Sequence, residues 1–218
     1  MSSPLRLCLV GATGLIGRTV IEQAVGPSGV RIVGVARRGM EMLLADPSGW
    51  PDAIAASGAK VLVCALGTTM KQAGGDQAAF RAVDHDLVLA SARAARDAGI
   101  DHMIVVSSVG ADELNKNFYL KVKGETEVAL ARLRFRRLDV LRPGLLRGAR
   151  EESRPLERVA RILAPLADLF LFGKRRKYRS IRAEILARAI FALAHQKAGG
   201  HFIHEHDDLV RAIRRAGG

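Results

Sequence analysis

The stretch Gly11-Ala12-Thr13-Gly14-Leu15-Ile16-Gly17, entered from the apolar run Leu7-Cys8-Leu9-Val10, restricts what this chain can fold into more than any other. Apolar residues running unbroken up to a glycine suit a strand buried on both faces. Glycines at this spacing suit a strand-to-helix turn whose backbone must come close to a pyrophosphate, because side chains would block that approach. The helix that follows aims unpaired N–H groups and its positive dipole end at the phosphates. A glycine triplet is weak evidence alone, so the rest of the chain has to alternate strands and helices if the reading holds.

That alternation is present. Leu5–Val10, a helix over Leu15–Val25 and Val30–Ala36 form a βαβ unit, with parallel strands and a right-handed crossover expected. Arg37 and Arg38 follow, about 20 residues after the glycine turn, where an acidic side chain would hold a ribose 2′-hydroxyl. Arginines there pair with a 2′-phosphate and stack on adenine, which favours NADP over NAD; two arginines after a strand also suit a solvated surface. Residues 39–59 read as loops and a short helix. Lys60–Ala65 resumes the buried-strand pattern and runs into Leu66-Gly67-Thr68-Thr69, and Phe80–Ala98 reads as one helix with Val83, Leu87, Ala90, Ala94 and Ala98 on one face. His102–Val106 is a strand ending in Ser107-Ser108, Phe118–Arg132 a helix, and Leu138–Leu141 a strand leading into Arg142-Pro143-Gly144. Helices over Pro155–Phe172 and Ala183–His195, an edge strand His201–His204 and a helix Asp207–Ala216 complete the pattern. The histidines 201, 204 and 206 read as surface residues. The fold class is α/β, a doubly wound parallel sheet (Rossmann fold). The chain reads as one domain over 1–218, with a small substrate lobe at 147–182.

Tyr119 and Lys123 stand four residues apart, one turn of a helix, so the ammonium lies near the phenol. A nearby cation favours phenolate over the ordinary phenol pKa of about 10, and such a tyrosine can exchange a proton near neutral pH. The same spacing arises by chance on any helix. Here it follows a strand that ends in serine.

Composition bounds the remaining choices. With 218 residues and 49% apolar side chains, one sizeable core is expected. Cys8 and Cys64 fall inside apolar strands and read as core residues without a disulfide. No apolar run approaches the roughly 18 residues of a membrane span, and the N-terminus reads as lacking a targeting pattern, so a cytoplasmic protein is expected. The net charge of +12 is concentrated, with 17 basic against 6 acidic side chains in residues 131–188. A field of that kind attracts phosphorylated cofactors, acidic substrates, nucleic acid or lipid headgroups alike, or is simply a solvated basic face. The cluster Gly173–Arg179 holds one aromatic and matches no recognition motif, which disfavours nucleic acid.

Taken together, the glycine turn, Ser107-Ser108-Val109-Gly110-Ala111, Tyr119-Leu120-Lys121-Val122-Lys123-Gly124-Glu125 and Arg142-Pro143-Gly144-Leu145-Leu146 resemble the short-chain dehydrogenase/reductase superfamily in its extended or atypical branches. With Ala65–Thr69 and Val83–Asp86 they are most similar to the Tat-interacting-protein-like oxidoreductases, over about residues 5–155. The resemblance implies that Gly11, Thr13, Gly14, Leu15 and Ile16 surround the pyrophosphate and that Arg37 and Arg38 take the adenosine phosphate. It places Leu66, Gly67 and Thr68 on the adenine and ribose side, and Pro143 and Gly144 beside the nicotinamide. It gives Ser108 the task of polarising a substrate carbonyl, with Ser107 as a substitute, Tyr119 that of exchanging the proton, and Lys123 that of holding the nicotinamide ribose. One position departs from the pattern: the asparagine usual near the start of the fourth helix is Asp84 here. The expected function is an NADP(H)-dependent oxidoreductase acting on a small carbonyl or alcohol. The alternative is a non-catalytic NADP(H)-binding regulator or redox sensor acting through a protein partner, and a homodimer is compatible with either.

Overall fold

The computed structural model describes residues 4–24, 29–36, 43–44, 47–147 and 171–217. Its centre is a parallel sheet of β1 (Leu5–Val10), β2 (Val30–Ala36), β3 (Leu43–Leu44), β4 (Val61–Cys64), β5 (His102–Val106), β6 (Arg137–Leu141) and β9 (Gly200–His204). The strands lie in the order β3-β2-β1-β4-β5-β6-β9, every pair parallel. β7 (Leu146–Arg147) and β8 (Ile181–Arg182) form a separate short parallel pair. Strand order reverses between β1 and β4, and in open α/β sheets the crevice beyond the carboxyl ends at such a reversal is where ligands bind.

Alternation along β1 explains why the sheet is covered twice. Leu7 and Leu9 face one side, packing with Ile16 and Val20 of α1 (Leu15–Ala24) and with Ala187 and Ile190 of α6 (Ala183–Ala194). Cys8 and Val10 face the other, packing with Ile54 of α2 (Trp50–Ala56), Val88 and Ala92 of α4 (Val88–Asp97), and Leu130 of α5 (Phe118–Arg132). The final helix, α7 (His206–Ala216), lies against α6. The short helix expected within residues 39–59 is α2. Of the helix expected over Pro155–Phe172, residues 155–170 lie outside the described set.

The long helix before β5 differs from the sequence reading. It runs as α3 (Gln77–Arg81), a wide π turn (Ala82–Leu87) and α4. The buried residues are Phe80, Asp84, Val88, Leu89, Ser91, Ala92, Ala94 and Ala95; of the expected face Ala94 is buried, Val83 and Leu87 are partly buried, and Ala90 and Ala98 are exposed. Apolar periodicity assigned Val83 inward because it could not turn a carboxylate inward. Asp84 goes in because a buried lysine meets it, as described below.

The histidines expected at the surface also need correction. His204 is partly buried: its Nε2 lies 2.7 Å from Asp139 Oδ1, while His102 Nε2 lies 2.7 Å from Oδ2 of the same carboxylate. Arg137 donates from Nε and Nη2 to Asp139 at 2.6 and 2.7 Å. Burial alone would raise the Asp139 carboxyl, but these three donors hold it well below the usual carboxylate range. His206 is likewise partly buried, against Asp207, and His201 is exposed.

Candidate functional site

The glycine turn sits at the strand-order reversal and is packed backbone to backbone. Gly11 has φ +87°, and a Cβ there would lie 2.6 Å from the Ala65 carbonyl carbon at the end of β4. A Cβ on Gly17 would lie 2.3 Å from Gly11 O and 2.7 Å from Ala12 Cα, so the first and third glycines set the approach of β1, α1 and β4. Gly14 is different. It is exposed, donates its N–H to Gly11 O at 3.1 Å, and has room for a Cβ at ordinary contact distance. The helical ladder opens with Arg18 N–H to Gly14 O at 2.9 Å, leaving the amides ahead of it without an intrahelical acceptor. Ile16 is buried, so its backbone alone serves the turn; Thr13 is exposed and Leu15 partly buried. Arg37 and Arg38 lie outside the described residues.

Across the crevice, Leu66 packs on the core and the 67–68 backbone lies over a buried ion pair. Lys123 Nζ stands 2.8 Å from Asp84 Oδ1, with side-chain exposures of 8% and 0%. The other carboxylate oxygen, Oδ2, accepts Thr68 N–H at 2.8 Å, and a Cβ on Gly67 would be 3.6 Å from Asp84 Oδ1. Thr126 Oγ donates toward the carbonyls of Asp84 (3.0 Å) and Val122 (2.7 Å), tying the π turn to α5. π turns inside α-helices recur at functional sites, and this one aims the carboxylate. Burial by itself would lower the Lys123 ammonium; the Asp84 carboxylate, helped by the nearby Tyr119 phenol, outweighs it and holds the group above the usual lysine value. Tyr119 is partly buried and packs edge-on against the fully buried Phe80, with ring centres 5.7 Å apart.

The two serines after β5 point to different partners. Ser107 is buried and donates its hydroxyl to Glu127 Oε1, while its N–H reaches Leu141 O at 2.7 Å. Ser108 is partly buried, and its hydroxyl has only a long 3.4 Å approach to the Val109 carbonyl. Glu127 also receives Arg142, whose Nε is 3.1 Å from both carboxylate oxygens; that bonding holds the guanidinium above its ordinary pKa. Glu127 therefore braces both the serine loop and the residue before Pro143-Gly144. Val109 N–H to Pro143 O, 3.0 Å, joins the same two loops. A Cβ on Gly144 would lie 2.5 Å from Arg179 O, so this glycine admits the basic segment to the sheet edge. Between the Asp84–Lys123 and Ser107–Glu127 pairs lies a cavity of about 10 Å³, near the size one water needs.

The residues expected at the site thus gather along one edge: the glycine turn and the Gly67–Thr68 backbone at the strand-order reversal, Tyr119 and Lys123 on α5, and the Ser108 and Pro143-Gly144 loops bonded to each other. Glu127 was missed. Its signal was the spacing of four from Lys123, which places it on the same buried face.

The HIM1 family matches residues 54–175. An fmp52 protein of Aspergillus fumigatus, named as mitochondrial, is 32% identical over 198 residues, covering 84% of this chain and 84% of that protein. The chain belongs to the HIM1 family. The fmp52 protein of Emericella nidulans, also named as mitochondrial, is 36% identical over 173 residues, covering 72% of this chain and 74% of that protein. Rat HTATIP2 is 49% identical over 98 residues, 45% of this chain and 40% of that protein. These matches bear out the resemblance to the Tat-interacting-protein-like branch. They overturn the cytoplasmic expectation, since the fmp52 names point to mitochondria instead. Among solved structures, UDP-glucose 4-epimerase of Thermotoga maritima aligns with TM-score 0.70 at 15% identity, over 97% of this chain and 81% of that one. The dTDP-4-dehydrorhamnose reductase of Bacillus anthracis, solved with NADP, aligns with TM-score 0.66 at 12% identity, over 100% and 82%. At these identities the likeness establishes the Rossmann fold. No helix among the described residues is long and apolar enough to cross a membrane.

Proposed function

We propose that this HIM1-family chain is an NADP(H)-dependent oxidoreductase for a small carbonyl or alcohol substrate, built as one domain with residues 147–182 as its substrate lobe. The observation that carries the reading is the buried, charged Lys123 beside Tyr119 on α5, facing the 67–68 backbone that borders the glycine turn. The turn fits a dinucleotide: Gly14 is exposed at the start of α1, where the first-turn amides precede the first intrahelical bond, which suits a pyrophosphate. A bound nicotinamide dinucleotide supplies or accepts the hydride. Tyr119 gives or takes the proton at the substrate oxygen, Ser108 donates a hydrogen bond to that oxygen, and Lys123 keeps a positive charge beside both. Ser107 is committed to Glu127, which supports Ser108 as the hydroxyl that meets the substrate. Gly67, Thr68, Pro143 and Gly144 line the dinucleotide, and the NADP preference rests on Arg37 and Arg38.

The test is reduction of a carbonyl panel with NADPH and NADH. Tyr119→Phe should cost about 10²–10⁴-fold in kcat while leaving NADPH affinity unchanged. Full activity in that variant refutes the assignment. One observation favours a second reading, in which the protein holds NADP(H) and signals through a partner: Lys123 is already committed to Asp84 at 2.8 Å. NADPH binding with no turnover across the panel supports that reading over the first.

A further inference from the structure

A second cavity, of about 310 Å³, lies where β7 and β8 meet α6 and α7, and it shares no residue with the Ser108–Tyr119–Lys123 group. Its size is at the lower end of ligand pockets, about 300–1,000 Å³. Arg147, Arg182 and Arg214 line it together with Ser180 and His206, and among the described residues no lining residue is acidic. The remaining wall is aliphatic, contributed by Ile181 and Ile185 on one side and Val210 and Ile213 on the other.

The charges around this cavity are unbalanced. The acidic side chains at the start of α7 are engaged elsewhere: Asp207 with Arg176 at 3.1 Å and with His206, Asp208 with Arg211, and Glu205 with Lys177 at 3.7 Å and in its own capping box. Arg182 has only an exposed approach to Glu184, 3.3 Å. Arg147 and Arg214 have no ion pair among the described residues, and Arg147 Nε is buried without a hydrogen-bond partner. A buried orphan donor is unusual enough to need an explanation. Arg182 is also the N-cap residue of α6, and its side chain makes no capping bond; Glu184 is the acidic residue of that first turn.

We propose that this cavity binds a single-chain amphiphile with an anionic head, the head held by Arg147, Arg182 and Arg214 and the chain laid along Ile181, Ile185, Val210 and Ile213. A bare anion leaves the aliphatic wall unused. A neutral or cationic amphiphile leaves the Arg147 and Arg214 guanidinium groups unanswered.

Octanoate and octyl phosphate, titrated calorimetrically into the full chain, test the site and distinguish a carboxylate from a phosphate head; octyltrimethylammonium and octanol serve as controls. Saturable binding of at least one anion, with weaker or no binding of both controls, is expected and requires no variant. Arg147→Met with Arg214→Met should weaken the anion about ten- to a hundredfold, as loss of charge-assisted hydrogen bonds does, and leave NADPH affinity unchanged. Should that pair of changes unfold the chain, Val210→Trp, which fills the cavity from α7, should abolish binding. Equal binding of the cation, full retention of affinity in the variants, or displacement of the anion by NADPH overturns the proposal, the last by placing the anion in the glycine turn.

Discussion

Asp84→Asn isolates the charge at the centre of the candidate site. Two unit charges 2.8 Å apart attract by about 6 kcal/mol at an effective dielectric of about 20. Burying both ions offsets much of that gain, but removing one partner strands the other, which costs about 3–5 kcal/mol. An asparagine oxygen still accepts Thr68 N–H, so the loss is confined to the charge. At about 2–4 °C per kcal/mol for a chain of this size, Tm should fall by at least about 6 °C. The pH profile carries the sharper signature. In the native protein Lys123 is held above its ordinary value, so its contribution is fully present below about pH 10.4 and is lost only as pH rises through the folded value. Without Asp84, burial dominates and lowers the lysine, so the folded variant binds fewer protons than its unfolded chain. Its stability should rise with pH between neutrality and about 10, where this group leaves the parent flat. Denaturant melts across that range, with Lys123→Met and the double variant, complete the cycle. Single effects that add to within about 0.5 kcal/mol, or parallel pH profiles, refute the pairing.

Three further outcomes follow from the geometry. Gly17→Ala places a methyl against the Gly11 and Ala12 backbone, which should cost about 1–3 kcal/mol and weaken NADPH in a fluorescence titration; unchanged affinity counts against the turn as the phosphate cradle. Asp139, held low by His102, His204 and Arg137, contributes stability that is present above about pH 3.9 and lost as pH falls toward its folded value. Asp139→Asn should therefore lower stability at neutral pH and flatten its acid dependence, and an unchanged acid transition would show that the cluster is idle. Burial pushes the Cys8 and Cys64 thiols up to about 11, so the native protein should resist iodoacetamide at neutral pH and react after unfolding; equal rates in both states would contradict closed central strands.

The sheet was legible because its strands are buried on both faces: Leu5–Val10 and Val30–Ala36 have the same bounds in sequence and structure. β7 and β8 are too short to carry a period, and they form through Gly144 and the Ile181 N–H to Leu145 O bond, which joins residues distant in the chain. Tyr119 and Lys123 were legible because their spacing is local. Asp84, Glu127 and Asp139 were not, because each is a buried carboxylate with partners on other elements, joined for Asp139 by Arg137 of its own strand, and apolar patterning assigns such residues outward. For Asp84 and Glu127 the direction is set by a cation distant in the chain, Lys123 and Arg142; for Asp139 the cation, Arg137, is two residues away on the same strand, and the distant partners are His102 and His204.

The packing of α6 onto α1 has a consequence for how the chain matures during synthesis. Ile16 and Val20, behind the glycine turn, share a core with Ala187 and Ile190. The turn leaves the ribosome well ahead of its supporting helix, which ends at Ala194. At about 5–20 residues per second, the interval is roughly ten to thirty seconds. Throughout it, the face of α1 that packs on α6 stays uncovered, so the glycine turn gains its full support only after residues far along the chain have been made.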